Sequence, residues 1–91
     1  MMIVPPNVLR AARELLGLKQ VTAAEGAGIS RRTIQRLEAG DFDQKHTSIV
    51  LRTYYEGQGI VFVRPTDGHG WGLIDNSEPS KADRLGSVEG Y

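Results

Sequence analysis

The chain has 91 residues and no cysteine. Disulfide frameworks, thiolate nucleophiles and cysteine-ligated zinc are therefore excluded. No apolar run approaches the roughly 18 residues that a membrane-spanning helix needs. The opening Met1-Met2-Ile3-Val4-Pro5-Pro6 has neither a basic stretch nor a long apolar one. No secretory signal is expected from it, and the cytoplasm is the expected compartment. The two histidines, His46 and His69, lie far apart and show no metal-ligand spacing. Gly68, Gly70 and Gly72 are followed by no helix, so they do not form a nucleotide-binding loop. Paired carboxylates in a plausible pocket are missing, and no histidine lies near Ser30 in sequence. The chain reads as a non-enzyme, with neither metal nor cofactor.

Net charge is also absent, because 11 Lys and Arg balance 11 Asp and Glu. The balance conceals a division. Residues 1–52 carry eight basic side chains against five acidic ones, and residues 53–91 carry three against six. Such asymmetry points to a polyanion-binding first half.

The sequence pattern supplies a run of short helices. Pro5-Pro6 is read as preceding the first helix, with Asn7 as its N-cap. Val8, Leu9, Ala12, Leu15 and Leu16 then recur at spacings of three and four, and Gly17 stops the run. A second helix fits Gln20 to about Gly26. It is rich in small residues, which let helix axes approach closely. Gly28 breaks it, Ser30 caps the next, and a third helix is predicted from Arg31 to Ala39 with Gly40 at its end. Residues 41–45 read as a loop. A fourth helix is expected after His46 or Thr47, with Ile49, Val50, Leu51 and Tyr54 as its apolar residues, ending at Gly57 and Gly59. The β-branched and aromatic run Ile60-Val61-Phe62-Val63 is a strand signal. Asp67-Gly68 favours a tight hairpin turn, and Trp71 to Ile74 is the expected return strand. Residues 75–91 are polar and read as a flexible tail. The predicted units are thus a helical domain at 7–58, a hairpin extension at 59–74 and the tail.

Two short helices joined by a glycine turn, with a serine cap opening the second, have the form of a helix-turn-helix. At about 100° per residue, Arg31, Arg32, Gln35 and Arg36 fall within an arc of about 140° on the third helix. Ile34 and Leu37 lie opposite. Arginine can donate two hydrogen bonds to guanine O6 and N7, and glutamine can pair two-fold with adenine. A charged helix face is most often just a solvated one; here the surrounding spacing tells against that.

The spacing resembles the lambda-repressor-like, Cro-type (XRE) helix-turn-helix family. The matching residues are Leu15-x-Gly17-Leu18-x-Gln20, then Ala24, Gly28-Ile29-Ser30, and Thr33-Ile34-x-x-Leu37-Glu38-x-Gly40. The resemblance covers Arg10 to about Val63. It implies a mainly α fold of four or five helices, here followed by a short β-hairpin or edge strand. It also implies sequence-specific binding of a double-stranded operator as a homodimer. Gln20 would bond a phosphate, and Ser30 or Thr33 would reach the DNA backbone. Arg31, Arg32 and Arg36, with Gln35 beside them, would face the bases. Arg13 and Glu38 match a structural salt bridge between the first and third helices. Members often sit on phages, plasmids and integrative elements beside their own operators, which implies autoregulation.

Three departures from the family pattern stand out. Ala23 occupies a position that normally holds a large aliphatic residue, Gly26 weakens the second helix, and Tyr54-Tyr55 replaces smaller or aliphatic residues. The first two imply a thin core, and the third is read as bearing on assembly. The hairpin is the expected dimerisation element through Ile60, Phe62 and Trp71, with the surface at Tyr54 competing. Phe62 and Trp71 could instead cap the monomer's core. Too few residues lie outside the helical domain for a separate effector-binding domain, so no small-molecule effector is expected. The alternative reading is a protein-interaction module, such as an antitoxin or anti-activator, that acts through the acidic second half.

Overall fold

The computed structural model describes residues 2–40 and 45–77. Four helices precede a two-stranded antiparallel sheet: α1 (Pro6–Leu15), α2 (Gln20–Ala27), α3 (Arg31–Ala39), α4 (Lys45–Gly57), β1 (Ile60–Val63) and β2 (Gly72–Asp75). Most of the tail expected after residue 75, and most of the loop expected at 41–45, lie outside the described residues. Among the described residues, no helix is long and apolar enough to cross a membrane.

The start of α1 differs from the sequence reading. Asn7 lies inside the first turn, Pro5 takes the cap position and Pro6 is already helical. Proline is tolerated there because the first N–H groups of a helix have no intrahelical partner. The Pro5 carbonyl accepts hydrogen bonds from the Val8 and Leu9 N–H groups, each at 3.0 Å. α2 runs one residue past Gly26 and ends at Gly28. That glycine adopts φ +76°, a left-handed conformation that only glycine enters without a steric cost. The Gly28 and Ile29 N–H groups then close back onto the Glu25 and Ala24 carbonyls at 3.2 and 2.9 Å. The chain is thereby turned into Ser30, whose Oγ accepts from the Thr33 N–H at 3.0 Å and opens α3.

The core gathers Leu9 and Ala12 of α1, Ala23 and Ala24 of α2, Ile34 and Leu37 of α3, Leu51 and Tyr55 of α4, with Val4, Ile60 and Phe62. Leu15 is 48% exposed, against the sequence reading. It sits about 120° around the helix from Leu9, at the edge of the buried stripe. The thin second helix is compensated from α4. Tyr55 is fully buried and is the largest such side chain, so it belongs to the core and not to an assembly surface. The Tyr54 ring lies where a β-carbon on Gly26 would be, so the glycine makes room for it. The two rings sit 5.6 Å apart, tilted by 53°.

In the sheet, Ile60 pairs with Asp75, Val61 with Ile74, Phe62 with Leu73, and Val63 with Gly72. The turn closes at the expected place, with Thr66 and His69 exchanging backbone hydrogen bonds at 2.8 and 3.4 Å, but neither Asp67 nor Gly68 takes the positive φ that an Asp-Gly hairpin turn favours. β1 packs on α4 and β2 on α1. Ile60 and Phe62 are 2% and 7% exposed, and both belong to the monomer's core. Trp71 and Leu73 are half-buried against it. Ile60 and Phe62 therefore cannot present their side chains to a second chain. Burying them is what seats the hairpin on the helices, and a two-stranded sheet needs such support.

Two outcomes follow from this packing. Replacing a helical glycine by alanine ordinarily stabilises by about 1 kcal/mol. Gly26→Ala should lose that gain because the added methyl evicts the Tyr54 ring, and the gain should return in a Tyr54→Ala background. A double-mutant cycle by urea unfolding should show coupling of about 1 kcal/mol. Burial, with the Glu38 carboxylate adding to it, pushes the Tyr55 phenol up from its ordinary value of 10.0. Below that value the phenol is neutral in both states. Above it the unfolded chain ionises first, so stability should fall with rising pH by up to about 1.4 kcal/mol per unit. Unfolding free energies between about pH 9 and pH 11 should show this slope, and Tyr55→Phe should remove its share of it.

Candidate nucleic-acid interface

α3 lies on the surface by one side only. Ile34 and Leu37 are buried, whereas Arg31, Arg32, Gln35 and Arg36 are all exposed. Among the described residues, neither Arg31 nor Arg32 has an acidic partner, so the positive charge of these two side chains is not cancelled locally. The acidic residue of α3, Glu38, points elsewhere. Its side chain is 5% exposed and faces Arg13, which is 11% exposed.

The Arg13–Glu38 contact is bidentate. Arg13 Nε donates to Glu38 Oε2 at 2.7 Å, and Nη2 donates to Oε1 at 2.9 Å. The remaining arm, Nη1, donates to the Leu18 carbonyl at 2.8 Å. One planar guanidinium thus ties α1 to the α1–α2 turn and to the end of α3, a geometry lysine cannot reproduce. Glu38 holds the Arg13 guanidinium above its already high ordinary pKa, against the cost of burial. The pairing also answers a local conflict. A carboxylate in the last turn of a helix faces the negative end of the helix dipole, and Arg13 offsets that repulsion.

Gln20 joins the same cluster. Its Nε2 donates to Glu38 Oε1 at 2.9 Å, so one amide hydrogen is already engaged within the protein. Ser30 and Thr33 are engaged with each other, their hydroxyl oxygens 2.7 Å apart. Sequence reasoning assigned Gln20, Ser30 and Thr33 to phosphates. The structure gives each a structural hydrogen bond as well: that of Gln20 joins segments 18 residues apart, which local pattern does not reveal, whereas that of Ser30 and Thr33 lies within one turn. Sequence reasoning also passed over Lys19. It is exposed at the N-cap of α2 and offers no side-chain cap to that helix. A lysine directly before a helix start was the available signal. Lys45 and His46 are likewise exposed at the start of α4.

Residues 9–48 match the family model described as helix-turn-helix, a span that runs from α1 into α4 and includes the whole basic face. This part of the chain is a helix-turn-helix domain of the lambda-repressor-like, Cro-type (XRE) family. No curated protein matches the chain. The helix-turn-helix match supports a DNA-binding regulatory role for this domain. The β-hairpin lies outside the matched span.

Removing one partner of a largely buried ion pair leaves an uncompensated charge. Glu38→Ala should therefore destabilise the helix-turn-helix domain by about 3 kcal/mol, more than the double replacement Arg13→Met with Glu38→Leu. Chemical denaturation of the three chains checks the order. A double variant less stable than Glu38→Ala would contradict it.

Proposed function

We propose that α3 is the recognition helix of a sequence-specific regulator that binds an inverted-repeat operator as a homodimer. The observation that carries this reading is the exposed face of Arg31, Arg32, Gln35 and Arg36, whose charge Glu38 does not cancel. Arg31, Arg32 and Arg36 face base edges, with Gln35 between them. The width of this face suits a major groove. Lys19, and the second amide hydrogen of Gln20, lie at the start of α2, where a phosphate would meet the N–H groups of an uncapped helix. Ser30 and Thr33 orient the first turn of α3 and reach the backbone beside it. Lys45 and His46 supply further phosphate contacts. Phosphate contacts set affinity and salt dependence, and base contacts set the choice of sequence. A two-fold dimer places its recognition helices in half-sites roughly 34 Å apart. Repression by occlusion of its own promoter is the simplest outcome of such binding.

The test is fluorescence anisotropy on the DNA upstream of the chain's own gene, against competitor DNA. Arg31→Ala with Arg32→Ala should cost about 1–3 kcal/mol per arginine and relax sequence preference while the melting curve stays unchanged. Lys19→Ala should weaken binding to all sequences alike and lower the salt slope by about one. Wild type and double mutant binding equally weakly would overturn the operator reading and favour a protein-interaction role.

A further inference from the structure

The polar side chains of α3 and its cap are not equivalent. Ser30 and Thr33 hold each other, with hydroxyl oxygens 2.7 Å apart, and Ser30 Oγ also accepts from the Thr33 N–H. Glu38 is turned inward onto Arg13. Arg36 is exposed but already has an interaction within the protein. Arg31, Arg32 and Gln35 are exposed, and among the described residues their side chains make no hydrogen bond or ion pair. These three heads are what α3 has left to offer a ligand.

Their chemistry is narrow. An arginine only donates, and it does so as a planar fork. In a major groove, guanine presents the matching pair of acceptors, O6 and N7. A glutamine amide donates and accepts, which matches N7 and N6 of adenine. Cytosine N4 needs an acceptor, and thymine is read through its methyl group. The one carboxylate of α3 is held by Arg13, so no acidic group stands on the outer side. Ile34 and Leu37, the large aliphatic side chains of the helix, lie in the core. α3 is thus equipped to read purines. Position adds an order. Arg31 and Arg32 open the helix about 100° apart, and Gln35 falls about 40° from Arg31, between the two. The N-terminal residues of a recognition helix are the ones that meet base edges. At a radius of about 6 Å, side chains 100° apart stand about 9 Å from each other, close to three base-pair steps.

We propose that the site read by one α3 is an A·T pair with a G·C pair on each side, all within about four base pairs. Gln35 takes the adenine, and Arg31 and Arg32 take the two guanines. Arg36 is assigned no base. This assignment rests on the operator reading above and adds the bases to it.

The test uses the full chain and a library of random duplex DNA, from which bound sequences are selected and read. The enriched motif should hold this purine arrangement. In the selected duplex, 7-deazaguanine in place of one guanine removes the N7 acceptor and leaves base pairing intact. Wild-type binding should weaken roughly fivefold or more. The same replacement should have no effect on the chain whose matching arginine is gone, Arg31→Ala for one guanine and Arg32→Ala for the other. 7-Deazaadenine should show the same coupling to Gln35→Ala. The three variants should melt as wild type does, and a merely structural role would not couple one residue to one base. A motif without this arrangement, or equal losses in wild type and variants, would overturn the base assignment and leave operator binding in place. A selection that enriches no motif would overturn the operator reading, and this assignment with it.

Discussion

The carboxylate of Glu38 is the point on which the helical arrangement depends. It receives Arg13 from α1 and Gln20 from the start of α2, and it belongs to α3 itself. Three helices are thus referenced to one pair of oxygens. Burial of the Ile34–Leu37 stripe sets which side of α3 faces outward but leaves the finer rotation loose, because burial is not directional. Two-pronged hydrogen bonding is directional, and it fixes the rotation that turns Arg31, Arg32 and Gln35 outward. The same contact removes the negative charge of Glu38 from the basic face. Structural stability and surface potential are therefore set by one interaction.

The second constraint is the small size of α2. Ala23, Ala24 and Gly26 provide little apolar volume, yet the core must close around them. Closure comes from α4, which supplies Tyr55 inside the core and Tyr54 against the bare backbone of Gly26. Read along the sequence, an alanine, a glycine and a pair of tyrosines are separate departures from a family pattern. In space they are one substitution of volume: side chain is missing on one helix and present on the helix that faces it. Close packing requires that total volume be conserved, and it does not specify which element carries it.

Much of the helical part could be read from the sequence because its signals are local. Ser30, Gly28 and the Ile34–Leu37 spacing each act within one turn of chain, and they place α3 where it is found. Which residues point outward on α3 follows from the same periodicity. Two kinds of information were not local. The partner of Gln20 lies 18 residues away, and nothing in the residues around it indicates that Glu38 would hold it. In β1, Ile60-Val61-Phe62-Val63 is apolar at every position, so alternation carries no information about which side is buried. Phe62 attracts attention as the largest side chain, and for that reason it is the one the core takes.

That choice of face follows from bulk. The interior of a small domain recruits the bulkiest residues of an all-apolar strand, because they bury the most area per residue ordered. What remains outside is the β-branched remainder, Val61 and Ile74, stiff at χ1 and short in reach. In β1 the division is by bulk: Ile60 and Phe62 close the core, and Val61 meets solvent.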